Sequence, residues 1–585
     1  MGIAKNLKVT ARRLCELASR LSASSSKLQG AGTFFFFLII STVLYGRGVV
    51  GSPSTTYVGG GHDPAGYIWS MVWWPYALNH HLNPFIARVI WEPAGFNLTW
   101  AAAIPGPSMV FWPITQCFGP VVSYNVLMIL TPAWVAWLAF LLCKRASGQF
   151  YPAIVGGYLF GFSPYMLGHM LMGQPNLTLI FAVPLCAYLL LLLFDGVFDR
   201  ATFVLALGIA LTFQFLVSTE IVALITLFAG AAIAIGLVVL PTDQRQALLK
   251  TLPLIVLGYV VFAVAVSPYL YYAFAFGVPE QMHPIERCAA DLLGYLVPSP
   301  MMLFGGKQFA RFADTLTPHV WYGGKGIYTN PALITMFVLY VWWCWHTPVG
   351  KLLILSSLFV VVCSFGPQFH VADRSLITFP WRWIVKIPTL NQALPVRFAM
   401  FFFLIISLVA SIVLSDPRIS KALRISLAVL SVLLAVPNRH YRLTVPQPVD
   451  TPTFFERPIL EGYLKPNDTL LIFPFSIQGT SLLWQATSKM YFGMVGGYIS
   501  TYVPPDYRRW PVVKMMLQDE PGPEFATQLK PFLAYYHVAG IVISPEAEPK
   551  WRGPIDGLGI EPKHVGGVLF YSIEPPSEPR ISTQE

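Results

Sequence analysis

Residues 33–50 read TFFFFLIISTVLYGRGVV, and residues 58–85 read VGGGHDPAGYIWSMVWWPYALNHHLNPF. The first run is apolar over nearly the length of a bilayer crossing, which takes about 20 residues of helix. It follows a cluster of Lys5, Lys8, Arg12, Arg13, Arg20 and Lys27. Basic residues beside a span hold that side in the cytoplasm and meet anionic lipid headgroups. The second run belongs to a long loop that then lies outside. Further spans are read near 121–143, 150–166, 176–194, 201–218, 221–241, 252–272, 331–347, 352–366, 397–415 and 423–437. That makes about eleven transmembrane helices in a polytopic α-helical membrane protein.

Composition agrees with that reading. Of 585 residues, 55% are hydrophobic and 11% charged, against about 25% charged in soluble domains. Too few charges remain to cover soluble cores of this size. The 15% aromatic content excludes a disordered chain. The net charge of +10 reflects in part the basic cluster beside the first span, which points to membrane lipids and not to nucleic acid. Seven cysteines include no CxxC pair, so neither a zinc knuckle nor a redox pair is indicated.

Lys144 and Arg145, Arg200, Arg245 and Lys250, Lys351, and Arg418, Lys421 and Arg424 fall in alternate connections. With the N-terminus cytoplasmic, these are the inside loops. An integral plasma (inner) membrane protein is expected, divided into three parts. Residues 1–31 form a cytoplasmic basic amphipathic segment. Residues 32–437 form the transmembrane domain, with outside loops at about 51–104, 273–330 and 367–396. Residues 438–585 form an extracytoplasmic α/β domain, with strands at Thr469–Phe475, Gly540–Ser544 and Gly567–Ser572 and a helix at Glu524–Tyr536.

In the first outside loop, Trp69, Trp73 and Trp74 recur at helical spacing over Tyr67–Leu82. Such a segment reads as an amphipathic helix lying flat at the interface, where Trp is favoured. Asp63 follows three glycines and precedes Pro64. It is either a helix cap or a carboxylate held near the headgroups as a general base or cation contact. Glu92, in WEPAG, is a second acid of this loop or part of an ordinary turn. Phe162-Ser163-Pro164-Tyr165 ends a helix. Beyond it His169 stands near Gln174 and Asn176. Glu220, in VSTEIVAL, lies in a short outer turn or is buried with a partner, and burial would make it a functional candidate.

GHDPAGYIWSMVWW, LNPF, WEPAGFNLTW, GFSPYMLGHMLMGQPNL (161–177), LLGYLVPSP (292–300) and LPVRFAMF (394–401) together resemble the GT-C superfamily of membrane glycosyltransferases. The likeness is to a bacterial multispanning branch related to the protein O-mannosyltransferases. FPF and VGGYISTYVPP in the C-terminal part (473–475 and 495–505) are similar to its outer domain. The resemblance implies transfer of a sugar from a polyprenyl-phosphate donor to an acceptor hydroxyl on a glycan, lipid or protein. It implies Asp63 as catalytic base, with Glu92 the alternative. His62, where many relatives have glycine, would contact the acceptor or face water. Any divalent cation would sit on Asp63. The donor phosphate would be met by Arg287, Arg382 or Arg397, with His169 and His319 as hydrogen-bond donors and Asp291 as a helix cap or second acid. Arg397 at a span end is otherwise explained by snorkelling, and Arg382 between Trp381 and Trp383 by an aromatic belt.

No HExxH, P-loop, dinucleotide glycine pattern or GxSxG elbow occurs. The alternative classes are a transporter or flippase of a lipid-linked precursor and a non-catalytic scaffold of the same fold. Polar residues gathered on the outer side favour surface chemistry.

Overall fold

The apolar runs become helices, and their lengths sort them. A computed structural model describes residues 29–276, 285–316, 325–379, 381–384, 386, 393–438, 441 and 446–573. Most of the basic segment 1–31 therefore lies outside the described residues. Among these residues, seven helices are long and apolar enough to cross a membrane. They are α1 (Gln29–Gly46), α3 (Pro120–Ser147), α6 (Pro175–Phe194, with a bend after its first turn), α7 (Arg200–Val217), α8 (Thr219–Val239), α9 (Thr242–Ala265) and α12 (Pro395–Ser415, entered by one 3-10 turn). The chain is an integral membrane protein.

The expected eleven spans thus give seven of full length. The other four runs are shorter for local reasons. Run 150–166 breaks into α4 (Phe150–Gly161) and α5 (Pro164–Leu171). Pro164 disfavours helical backbone at Ser163, which turns extended and caps α5 by accepting from the Met166 N–H at 3.3 Å. Runs 331–347 and 352–366 give α10 (Pro331–Cys344) and α11 (Pro348–Ser364), each opened by an Asn or Thr cap and a proline. Run 423–437 gives α13 (Lys421–Leu433), whose first turns carry Lys421 and Arg424.

The helix expected to be amphipathic and to face the headgroups is instead buried within the protein. α2 (Asp63–Asn79) is buried along most of its length, with Trp69, Trp73 and Trp74 at most 4% exposed. Its apolar residues surround the axis and leave no polar stripe, and a helix apolar all round belongs in a core. Each indole N–H finds an internal acceptor: Gln485 Oε1 for Trp69 at 2.6 Å, the Pro84 carbonyl for Trp73 at 2.9 Å, and the Ala103 carbonyl for Trp74 at 2.7 Å.

Residues 446–573 build on a five-stranded sheet of β1 (Thr469–Phe473), β2 (Gly493–Met494), β3 (Val538–Ile543), β4 (Lys563–Val565) and β5 (Val568–Ser572), in the order β4-β5-β3-β1-β2. β1 runs parallel to β2 and β3, and β5 runs antiparallel to β3 and β4. All of β1 is buried, so its unbroken apolar run has a partner on both faces. A helix at Phe525–Tyr535 packs its apolar side inward.

The first loop is bound to this sheet. Ile90 bridges Met494 in parallel, beyond β1 at the β2 edge. The Met494 N–H donates to the Val89 carbonyl, and the Glu92 N–H to the Met494 carbonyl, both at 3.0 Å. The Gln485 side-chain amide donates to the carbonyls of Val89 (2.9 Å) and Phe492 (2.7 Å) while accepting from Trp69.

Candidate active site

Asp63 is set in place by what precedes it. Gly59 has φ +90°, and its backbone lies against Gly173 so closely that a Cβ would strike the Gly173 backbone. Only glycine tolerates both conditions. The Gly60 N–H donates to the Leu171 carbonyl at 2.8 Å, and the Tyr124 hydroxyl bridges the carbonyls of Val58 and Gly173 at 2.9 Å each. Asn125, buried in α3, accepts from the Val58 N–H and donates to the carbonyls of Pro53 and Thr56. The loop entering α2 is therefore stitched to α3 and to the end of α5, which brings Asp63 beside Gln174. α2 begins at Asp63, so the cap position falls on His62, which makes no side-chain capping bond.

Asp63 opens onto a cavity of about 450 Å³. The walls come from the start of α2 (Asp63, Gly66, Tyr67), the turn before α6 (Gln174, Asn176), the α7–α8 junction (Phe215, Val217–Glu220), a helix at Ser267–Ala275, the entry to α12 (Ala393, Arg397) and residues Tyr498–Thr501 of the C-terminal domain.

Polar contacts along the wall define its chemistry. Gln174 Nε2 donates to Asp63 Oδ2 at 2.6 Å, which leaves Gln174 Oε1 to face His169 Nδ1 at 2.7 Å. An amide oxygen only accepts, so His169 carries its proton on Nδ1. His169 is 4% exposed, and its Nε2 has no hydrogen-bond partner. Burial, then the nearby positive charge of Arg397, push its pKa down to about 3 against the opposing Gln174 bond. The imidazole is neutral at pH 7, and its one N–H is committed to Gln174. Expected as a donor to a phosphate, His169 instead stands behind Asp63 as the far end of a relay. Tyr67 donates to Asn176 Oδ1 at 2.5 Å. Burial and the Asp63 charge raise the pKa of both Tyr67 and Tyr498, so both hydroxyls keep their protons.

Across the cavity, Arg397 Nη1 is ion-paired with Glu220 Oε2. The other carboxylate oxygen, Oε1, accepts from the Leu394 N–H at 3.3 Å. Glu220 combines the two expectations, half-buried at the short connection between α7 and α8 and paired, and Arg397 turns inward to a carboxylate and does not snorkel. Glu220 lies in the first turn of α8, where Ser218 caps the helix by accepting from the Ile221 N–H at 3.4 Å.

The remaining candidates are placed elsewhere. His62 is exposed and does not line the cavity. Glu92 points into the C-terminal domain, where its Oε2 accepts from Thr469 Oγ1 at 2.9 Å and its carbonyl accepts from the Tyr507 hydroxyl. A Cβ at Gly493 would collide with that carboxylate. Asp291 is 1% exposed and caps a 3-10 turn: Oδ1 accepts from the Leu293 N–H at 2.8 Å and Oδ2 from the Asp373 N–H at 2.9 Å. Its carboxylate is used by backbone, which makes it a cap and no second acid. Arg382 is exposed on a single helical turn, Trp381–Ile384. The Arg287 backbone lies in a 3-10 turn, Ile285–Cys288, while its side chain, like the whole of His319, is outside the described residues. Among the described residues no three of His, Cys, Asp and Glu converge into a cluster that could hold a metal ion. Tyr67 and Tyr498 went unnoticed in the sequence. Nothing in their local patterns marks them, since both are defined by contact between segments far apart in the chain.

Apolar helices and the C-terminal domain together line the cavity, and the whole shares the GT-C fold of the solved membrane proteins it resembles. Solved structures similar to it are glycosyltransferases of that fold. Mycobacterial arabinofuranosyltransferase AftD superposes with a TM-score of 0.58 at 14% identity, over 94% of this chain and 40% of AftD. The chain therefore spans less than half the length of AftD. The Archaeoglobus fulgidus oligosaccharyltransferase AglB, in complex with an inhibitory peptide and a dolichol-phosphate, gives 0.52 at 12% identity over 94% of this chain and 75% of its own. ArnT from Cupriavidus metallidurans, bound to undecaprenyl phosphate, gives 0.50 at 10% identity over 92% and 98%. No protein-family profile and no curated protein sequence matches the chain.

Proposed function

We propose that the protein is a membrane glycosyltransferase that moves a sugar from a polyprenyl-phosphate donor to an acceptor hydroxyl on the extracytoplasmic face. The observation that carries this reading is the presence of the Asp63 carboxylate and the Arg397 guanidinium, with its partner Glu220, on the walls of a single cavity in a fold shared with glycosyltransferases. AglB and ArnT were solved with polyprenyl-type phosphates bound, which supports a lipid-linked donor here.

In this mechanism the donor phosphate lies against Arg397, and the N-terminus of α8 adds its positive end. Asp63 takes the proton of the acceptor hydroxyl as its oxygen attacks the anomeric carbon. The bond from that carbon to the phosphate oxygen breaks, and the lipid phosphate leaves with the electron pair. Arg397 balances the charge that gathers on it. A single displacement inverts the anomeric centre. Gln174, held by His169, keeps one Asp63 oxygen engaged and thereby fixes the direction of the carboxylate. Tyr498, Ser500 and Thr501 of the C-terminal domain line the same cavity, which supports a part for that domain in taking the acceptor.

The test is a transfer assay on the full chain in nanodiscs, with radiolabelled polyprenyl-phosphate sugars and crude envelope acceptors. Transfer by wild type that Asp63→Asn lowers by about 10²–10⁴-fold is expected of a lost general base. Transfer undiminished in Asp63→Asn would remove Asp63 from this role. Absence of transfer from every donor, with lipid flipping detected instead, would overturn the enzyme reading.

A further inference from the structure

Arg397 already has a carboxylate partner before any ligand arrives. Its Nη1 meets Glu220 Oε2, and the two side chains are only 14% and 20% exposed. Both groups line the cavity. Glu220 has a second anchor in the Leu394 N–H, so the same carboxylate ties the start of α8 to the segment that leads into α12. The pair engages one guanidinium nitrogen and offsets part of the positive charge that faces the cavity.

Resting on the reading of Arg397 as the phosphate contact, we infer that Glu220 is an internal competitor for the lipid phosphate. Glu220 already takes Nη1 of the guanidinium, and a phosphate that needs that nitrogen must displace the carboxylate. Donor binding therefore exchanges one anion for another at Arg397. Once displaced, the Glu220 carboxylate stays in the first turn of α8, where the helix dipole favours a negative charge. After transfer the product is again a lipid phosphate, and return of Glu220 to Arg397 helps expel it. The competitor also disfavours weakly charged lipids, since only an anion that outbids a carboxylate can hold the site. Glu220 is in this sense a positioning and selectivity residue that never touches the reacting carbon.

Binding of undecaprenyl phosphate to the full chain in nanodiscs tests this, with wild type, Glu220→Gln, Glu220→Asp and Arg397→Gln compared. The expected result is affinity about tenfold tighter in Glu220→Gln, the scale of losing one partly exposed charge competitor. Glu220→Asp, which keeps the charge, stays near wild type and controls for folding. Equal or weaker binding by Glu220→Gln, with wild type binding and Arg397→Gln not, would overturn the inference and make Glu220 a brace for Arg397. Binding that Arg397→Gln leaves intact, or no binding by wild type, would overturn the phosphate reading of Arg397 and the inference with it.

Discussion

Asp63 and Glu92 are two acids of one loop, each beside a proline and close to glycine, yet the fold gives them opposite surroundings. Asp63 opens onto a cavity, with a neutral amide on one oxygen. Glu92 faces away into the C-terminal domain, where Thr469 holds its side chain and Tyr507 its carbonyl. Local sequence is nearly matched, so the difference is tertiary. What precedes Asp63 is pinned to Gly173 and α3, and what surrounds Glu92 is pinned to the edge of a sheet. The same functional group faces a cavity in one place and serves as a fastener in the other.

The sharpest way to break that comparison is to neutralise both acids separately. Asp63→Asn is expected to lower transfer by about 10²–10⁴-fold, while Glu92→Gln changes it less than about fivefold, as a lost docking contact should. Matching losses in initial-rate assays would collapse the distinction. Next in size is Gln174→Leu, with an expected fall in kcat of about 10–100-fold and little change in KM for the donor, since orientation alone is lost. The amide bond favours the ionised carboxylate, so the acid limb of the pH–rate profile should also move to higher pH. An unmoved limb would reduce Gln174 to packing.

A smaller effect is expected at the fastener. Thr469→Val removes the hydroxyl that Glu92 accepts from and should cost about 1 kcal/mol of stability, the scale of one lost hydrogen bond. Thermal melting in detergent would show it, and an unchanged Tm would mean that Glu92 contributes little to docking. The smallest concerns His169. Its pKa in the fold, about 3, lies below the ordinary 6.5, so the unfolded chain binds the proton more readily. Stability from this group is full above about pH 6.5 and is lost as pH falls toward 3. His169→Gln should flatten that part of the melting-temperature profile, and an identical slope in both proteins would count against the buried neutral imidazole.

Much of this architecture is legible in the residues, for reasons that differ by element. The seven long helices announce themselves because burial in lipid requires unbroken apolar length. The three strands read at 469–475, 540–544 and 567–572 overlap those formed at 469–473, 538–543 and 568–572, since β-branched runs report a local preference. α2 was misjudged because three tryptophans have the same composition whether they meet lipid headgroups or a protein roof. Asp63, His169 and Arg397 were singled out by position at helix ends. Their arrangement was not readable: the Gln174 relay and the Glu220 pair join residues 111 and 177 positions apart, Asp63 to Gln174 and Glu220 to Arg397. Asp291 reads equally as a cap or an acid in the sequence, because capping and catalysis draw on the same side chain.

The bond from Trp69 to Gln485 has a consequence for how the protein is made. The helix that carries Asp63 completes its hydrogen bonding only with a residue translated more than four hundred positions later, and one wall of the cavity, Tyr498–Thr501, comes later still. A ribosome that has threaded every long helix into the bilayer has yet to supply that wall. Completion of the cavity is thus deferred until the C-terminal domain has emerged, folded and docked. A chain arrested before that point would hold Asp63 and Arg397 without the enclosure between them.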